Sequence, residues 1–481
     1  MNIKKVIKTI SRLLLVEALL MLVPLLTAFL YKESSTEKMA FVWTILILLI
    51  INLPLQFIKV DSKKLFASEG FVIVTGTWTL MSFFGGLPLY LSGQFTSLID
   101  SFFEVASGFT TTGASVLADV SVQSPSIIIW KAMQQFIGGM GVLVFALAVL
   151  PSVSKEDIHL MKAESPGPIF GKLLSRLKDS ARILYTIYAL LASILIVALL
   201  LAGMPLFDAI THAFETAGTG GFSIRNGSVA HYNSALIEMI IGLGMLAFSI
   251  NFSLYHLFLI GKAKNFFDNE ELKWFIGIVV SAIFLITINI SSDLGVLKAL
   301  RHSFFTVSST ISTTGFSSTD YTSWPLFSQI IIMTLMFIGG MAGSTAGGLK
   351  VIRVSMASKY ALMEVKKQRN PKRILKMRYD GKVVEDKYLR TLINYFSLYV
   401  IIFFILLLSV SIDLQDFISA FSAVATTFNN VGPGLGQVGP ASSFAMLSNF
   451  NKVLLSFAMI AGRLEIFPMI ILFSPDTWKK V

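Results

Sequence analysis

Long apolar stretches recur along this chain, separated by short polar segments. "LLLVEALLMLVPLLTAFLY" (13–31) and "FVWTILILLIINLPLQF" (41–57) are near or at the length that crosses a bilayer. They predict an all-α polytopic membrane protein that opens with two spans, at about 10–31 and 39–57. After them one pattern recurs four times: a span, a short outward segment and a second span. Its copies cover about 69–151, 180–261, 270–364 and 386–474, giving about ten full spans. The expected division is a two-helix domain (1–65) followed by modules 66–165, 166–264, 265–380 and 381–481.

The modules are repeats. "SFFEVASGFTTTG" (101–113) aligns without a gap with "SFFTVSSTISTTG" (303–315), and the spans that follow share "FIGGMG" (136–141) and "FIGGMA" (337–342). The second module offers "FDAITHAFETAGTGGFS" (207–223) and the fourth "DFISAFSAVATTFNNVGPG" (416–434), both more divergent. In each, about ten apolar and small residues, too few to span, precede a run of Thr, Ser, Asn and Gly.

Non-helical backbone at membrane depth must be buried in protein or line a water-filled path. Four such segments can meet around one axis, point their carbonyl oxygens inward and replace the hydration shell of a monovalent cation. The candidate donors are Thr110, Thr111, Thr112 and Gly113, then Thr219, Gly220 and Gly221, then Thr313, Thr314 and Gly315, and last Asn430, Val431 and Gly432. In the second module the Gly-Phe-Ser match favours Gly221 over Gly220 as the equivalent glycine. Asp100, Glu104, Asp119, Asp208, Glu215, Asp293, Asp320, Asp413 and Asp416 fall on or beside these segments, where they would draw cations to the mouth.

Composition narrows the field. The chain is 54% hydrophobic and 14% charged, and it contains no cysteine, which excludes disulfides, iron–sulfur clusters and thiolate zinc sites. Its five histidines lack metal-ligand spacing. The net charge of +11 sits in alternate inter-span regions: 4–12, 59–64, 155–182, 262–273 and above all 350–390. That alternation marks cytoplasmic loops rather than nucleic-acid binding and places both termini in the cytoplasm. Lys131 reads as an interfacial anchor, and the spans hold no cluster of His, Asp or Glu of the kind an enzyme needs.

The four modules, with "TTTG", "GTGGFS", "STTGF" and "FNNVGPG", resemble the Trk/Ktr/HKT potassium-transporter superfamily over essentially the whole chain. The two extra leading spans resemble its TrkH branch. The resemblance implies potassium (K+) as the transported ion, with no organic cofactor in this chain. It also implies a homodimer in the bacterial cytoplasmic membrane, one pore per protomer, and a cytoplasmic TrkA-like nucleotide-binding (NAD/ATP) regulatory subunit. The alternative is a secondary cation transporter coupled to sodium or protons, which predicts two inverted halves rather than four parallel modules.

"IGGMAGSTAGGLK" (338–350) is rich in helix-weakening glycine. It nearly matches a phosphate loop, then fails where Leu349 replaces lysine. The expected structure is a broken helix whose loop obstructs the path below the filter, and the resemblance implies the same gate. The gate residues are Gly339, Gly340, Gly343, Ser344, Thr345, Ala346, Gly347, Gly348 and Lys350, together with Arg463 from the last span. An arginine at mid-membrane costs about 2.5–3.5 kcal/mol, so Arg463 is expected to face the interior, within reach of the loop's carbonyls. Lys350 and Arg353 sit at the loop's cytoplasmic end, placed either to transmit partner binding or to mark topology.

Overall fold

The computed structural model describes residues 1–60, 67–141, 177–370 and 375–478. Residues 142–151 of the first module's second span, most of the basic stretch 155–182, residues 61–64, Lys372 and Arg373 lie outside the described residues, as do the boundaries at 65/66 and 165/166.

The two leading spans form α1 (Ile3–Leu20) with its continuation α2 (Leu22–Leu30), and α3 (Ser35–Leu55). Helix α3 starts where Ser34 and Glu37 build a reciprocal capping box. The first module holds α4 (Ala67–Leu91), α5 (Leu98–Phe109) and α6 (Pro125–Gly139). The second holds α7 (Leu177–Leu201), α8 (Leu206–Gly218), α9 (Ala235–Phe248) and α10 (Phe252–Leu259). A short α11 (Ala263–Asp268) leads to the third, with α12 (Glu270–Leu294), α13 (Val296–Ile311), α14 (Leu326–Ile338) and α15 (Val351–Arg369). A hairpin of β1 (Arg378–Tyr379) and β2 (Lys382–Val383) precedes α16 (Asp386–Val410), α17 (Phe417–Phe428), α18 (Asn449–Arg463) and α19 (Phe467–Phe473) of the fourth. The expected boundary at 380/381 falls inside the hairpin's turn.

Among the described residues six helices are long and apolar enough to cross a membrane: α1 with α2, α3, α4, α7, α12 and α16. These are the two leading spans and the first helix of each module. Of the about ten full spans expected, the third module's second helix is broken at 339–350 as anticipated, and those of the second and fourth modules, expected as continuous, also break at the same place in the repeat. Helix α6 ends before Gly141 (φ 87°), α9 and α10 meet at a 91° bend, α14 and α15 are parted by residues 339–350, and α18 ends before Glu465 and Ile466 (φ 62° and 66°). Asn251, whose side chain caps Ser253, restarts the chain in the second module, and Pro468 in the first turn of α19 restarts it in the fourth.

The first helices of the last three modules expose most of their surface, with 28% of each apolar window buried. Helix α4 reaches 61% because α1 and α3 pack over it. The leading helices therefore cover the first module, whose Trp78, Phe103, Phe109 and Trp130 are fully buried.

Candidate functional site

Helices α5, α8, α13 and α17 are the short outward segments. Each ends in a Schellman cap, the arrangement that satisfies the last free carbonyls of a helix. The closing N–H groups of Thr112, Gly220, Thr314 and Val431 donate to the carbonyls of Ser107, Glu215, Ser309 and Thr426 at 2.8, 2.9, 2.9 and 2.8 Å. Such a cap needs one left-handed residue, usually glycine. Here Thr111, Thr219, Thr313 and Asn430 take it, at φ 54°, 55°, 56° and 56°. A β-branched residue there is a genuine outlier. Three threonines thus hold a strained conformation at one position of the repeat.

Two residues further on, Gly113, Gly221, Gly315 and Gly432 also have positive φ (77°, 61°, 89° and 103°). The second module's register thus falls on Gly221. The glycines pack around a closed ring in chain order. A Cβ on Gly113 would lie 1.9 Å from the carbonyl oxygen of Gly220, one on Gly221 2.0 Å from that of Thr314, one on Gly315 2.4 Å from that of Val431, and one on Gly432 2.7 Å from that of Thr112. The four oxygens are equivalent, so the segments meet about one pseudo-fourfold axis. Thr110 stands one residue before the shared triplets, and its hydroxyl donates back to Ala106 O at 2.6 Å. Asn430 Nδ2 donates to Thr112 Oγ1 at 2.9 Å and fastens the fourth segment to the first.

On the far side of the glycines lies a cavity of about 310 Å³, lined by Gly113, Gly221, Gly315, Gly432 and the loops beyond them. Among the described residues its one charged lining side chain is Arg225, and exposed Asp119 stands between the lining residues Ala118 and Val120, where it accepts Asn226 Nδ2 at 2.8 Å. Most of these acids also make hydrogen bonds or ion pairs within the scaffold. Glu104 pairs with Lys131 at 2.5 Å, Asp100 with Lys452 at 2.7 Å and Asp208 with Arg225 at 3.3 Å. Asp119, Asp320, Asp413 and Asp416 accept the N–H groups of Ser121, Thr322, Ser448 and Ser419. Glu215 is buried, and Asp293 is exposed beside Ser292. Short outer loops expose many turn and helix-start N–H groups, and these carboxylates satisfy them. Lys131 is likewise no interfacial anchor: it is 2% exposed and lies over the Phe222 ring, 4.0 Å from its centroid.

On the opposite side of the ring residues 339–350 form a largely buried loop. Gly347 N–H donates to Thr313 Oγ1 at 2.6 Å and Gly348 N–H to Asn429 O at 2.9 Å, so the loop lies against the C-termini of α13 and α17. Gly339 (φ 70°) and Gly348 (φ 77°) cross at its neck, where Gly348 Cα lies 2.8 Å from where a Cβ on Gly339 would sit. Gly340, Ser344 and Ala346 pack inside, while Gly343 is exposed and its carbonyl accepts Phe252 N–H at 3.0 Å. Arg463 Nη1 donates to Thr345 O at 2.7 Å, and Nη2 to Gly138 O at 2.7 Å and to Gly139 O. Lys350 is buried and turns its ammonium back onto Ala346 O, so it belongs to the loop.

Two acids escaped the sequence reading. Glu465, which cannot share a helix face with Arg463, pairs with Arg353 at 2.5 Å across the break. Glu271 touches both ends of the loop. The available signal was only that each is an acid at the end of a span.

Fold and site define a class: a four-module membrane protein with re-entrant segments that meet at one ring. Residues 37–480 match the family described as "TrkH: Cation transport protein". The chain is 34% identical over 489 aligned residues to "Trk system potassium uptake protein TrkH" of Salmonella typhimurium, with 100% of both covered. It is 36% identical over 471 residues to "Trk system potassium uptake protein TrkG" of Escherichia coli, with 96% of each covered. The crystal structure of the potassium transporter TrkH from Vibrio parahaemolyticus superposes with a TM-score of 0.89 at 32% identity over 100% of both chains. The chain belongs to the TrkH family and is a multi-pass membrane cation-transport protein.

Proposed function

We propose that this protein takes up potassium across the bacterial cytoplasmic membrane through a channel-like pore, with both termini in the cytoplasm. The ring of Thr112, Gly220, Thr314 and Val431, with the residues flanking each, is its selectivity filter. The observation that carries this reading is the cyclic packing of each filter glycine against the next segment's carbonyl. Carbonyl oxygens held at fixed spacing replace the water around a weakly hydrated ion at little cost, whereas a smaller ion gains less from them. The C-termini of α5, α8, α13 and α17 add the negative ends of four helix dipoles. No covalent step is required.

Residues 339–350 act as the gate on the cytoplasmic side, with Arg463 holding Thr345. The names of the relatives support potassium as cargo. A homodimer, with each protomer carrying its own pore, and a TrkA-like nucleotide-binding subunit docked on the basic face of α15 and the hairpin complete the proposal. Exposed Lys366, Lys367, Arg369, Lys376, Arg378 and Lys382 supply that face.

Rubidium uptake into liposomes holding only this protein tests the reading. Expected is sodium-independent uptake that disappears in Gly113→Ser and Gly315→Ser. Uptake that requires a sodium or proton gradient would replace the pore with a coupled transporter.

A further inference from the structure

We infer that Glu271 is a positioning residue that latches the gate loop from the cytoplasmic side, an inference that rests on reading 339–350 as a gate. Its side chain is 3% exposed. Oε1 accepts the N–H of Ala342 at 2.7 Å and the N–H of Ile352 at 3.1 Å. Ala342 lies within the loop and Ile352 in the first turn of α15, so one oxygen ties both shoulders of the loop to α12. Both N–H groups sit where the local fold gives them no backbone acceptor: Ala342 follows the break, and Ile352 is one of the free N–H groups that open a helix.

The residue before it makes the complementary contact outward. Glu270 N–H donates to Asp380 Oδ1 at 2.7 Å, and Asp380 N–H returns to Glu270 Oε2 at 3.1 Å. Glu270 also accepts Lys359 Nζ from α15. Asp380 occupies the turn of the exposed hairpin. Adjacent residues of one helical turn thus grip the gate loop on one side and a basic cytoplasmic hairpin on the other. A partner that displaces the hairpin pulls on the turn that holds the loop. Leu349 N–H to Phe337 O (3.0 Å) and Lys350 N–H to Ile338 O (2.9 Å) remain when Glu271 is removed, so its loss loosens the loop without dissolving it.

The test is basal rubidium flux into liposomes without a regulatory subunit, for the full chain, E271A, E271Q and a deletion of 343–347. Loss of a charged group that accepts two hydrogen bonds shifts a two-state gate on the order of tenfold. E271A is therefore expected to raise basal flux on the order of tenfold. E271Q, whose carbonyl oxygen still accepts both N–H groups, stays within about twofold of wild type. A purely architectural role would lower flux in E271A rather than raise it. If the deletion raises flux and folded E271A does not, the latch is wrong and the gate stands. If neither raises it, the gate reading itself falls. Should E271A yield no folded protein, E271D is measured instead, with a smaller rise in basal flux expected and an unchanged or lower flux counting against the latch, because its shorter carboxylate reaches one amide and not both.

Discussion

The α-carbon of Gly113 lies against the carbonyl oxygen of Gly220, with a clearance of 1.9 Å for any Cβ. The corresponding clearances at Gly221, Gly315 and Gly432 are 2.0, 2.4 and 2.7 Å. Below about 3 Å the neighbour must move, and here the neighbour is the backbone of the next segment around the ring. The positive φ of all four adds strain to any L side chain. Alanine at Gly113 and Gly221 should therefore abolish uptake most completely, and alanine at Gly432 should retain the most. One displaced carbonyl forfeits an interaction of at least about 1.4 kcal/mol, or about tenfold in flux. Rubidium uptake by the four single variants orders them; equal residual activities would contradict a ring closed by these contacts.

Arg463 reaches the loop 339–350 and the C-terminal end of α6 with one guanidinium. Three carbonyls lose the guanidinium in Arg463→Gln, among them Thr345 O, while Gly138 O keeps the Gly141 N–H. The expected result is a rise in basal flux on the order of tenfold, because the closed loop loses a charged hydrogen bond. Arg463→Lys should fall between, since an ammonium cannot reproduce the spread of a planar fork. Flux in the glutamine variant at or below the wild-type level would refute a closing role.

The sequence carried the helical class, the four modules and the glycine register, because each rests on local signals. A span is legible from length, and the repeat from Ser-Phe-Phe and Thr-Thr-Gly at fixed spacing. What it could not carry were contacts made across modules. Lys131 read as an anchor because its partner Glu104 lies 27 residues away on another helix. The acids read as an attractive mouth, yet most serve as caps or ion pairs. The breaks at 249–251 and 464–466 were hidden because apolar residues continue on both sides, leaving hydropathy unchanged while the backbone turns. Glu271 was invisible for the same reason as Lys131: its two acceptor contacts lie 71 and 81 residues away.

The pair of Lys131 and Glu104 is buried beside the segment that follows α5, and Glu104 also accepts Val116 N–H at 3.0 Å and the Ser115 hydroxyl at 2.8 Å. Breaking one side of a buried pair leaves an uncompensated charge and costs about 3–5 kcal/mol. Lys131→Met should therefore destabilise the solubilised protein by roughly that amount. The double variant Lys131→Met with Glu104→Gln should recover most of the loss, because the remaining amide is neutral and still accepts Val116 N–H. Thermal unfolding of the three proteins in one detergent reads this directly. A double variant no more stable than the single would show that the pair acts through packing alone.

Among the described residues Arg225 is the charged side chain that lines the cavity beyond the glycines. Its guanidinium lies 3.3 Å from Asp208 Oδ2, which also accepts the Tyr232 hydroxyl at 2.6 Å, while 44% of the arginine side chain stays exposed. A fixed cation at the rim repels the ions that must enter, so Arg225→Gln should speed rubidium uptake from dilute solution. Asp208→Asn should slow it, because the same arginine then loses its neutralising partner. Both effects act through solvent at the mouth, where screening shortens their range from about 30 Å at 0.01 M salt to about 8 Å at 0.15 M. A gain of about two- to fivefold for Arg225→Gln at the lower ionic strength should therefore shrink towards unity at the higher one. Initial rates at the two salt levels, made up with an impermeant cation, separate this from a change in the filter, which would alter uptake equally at both.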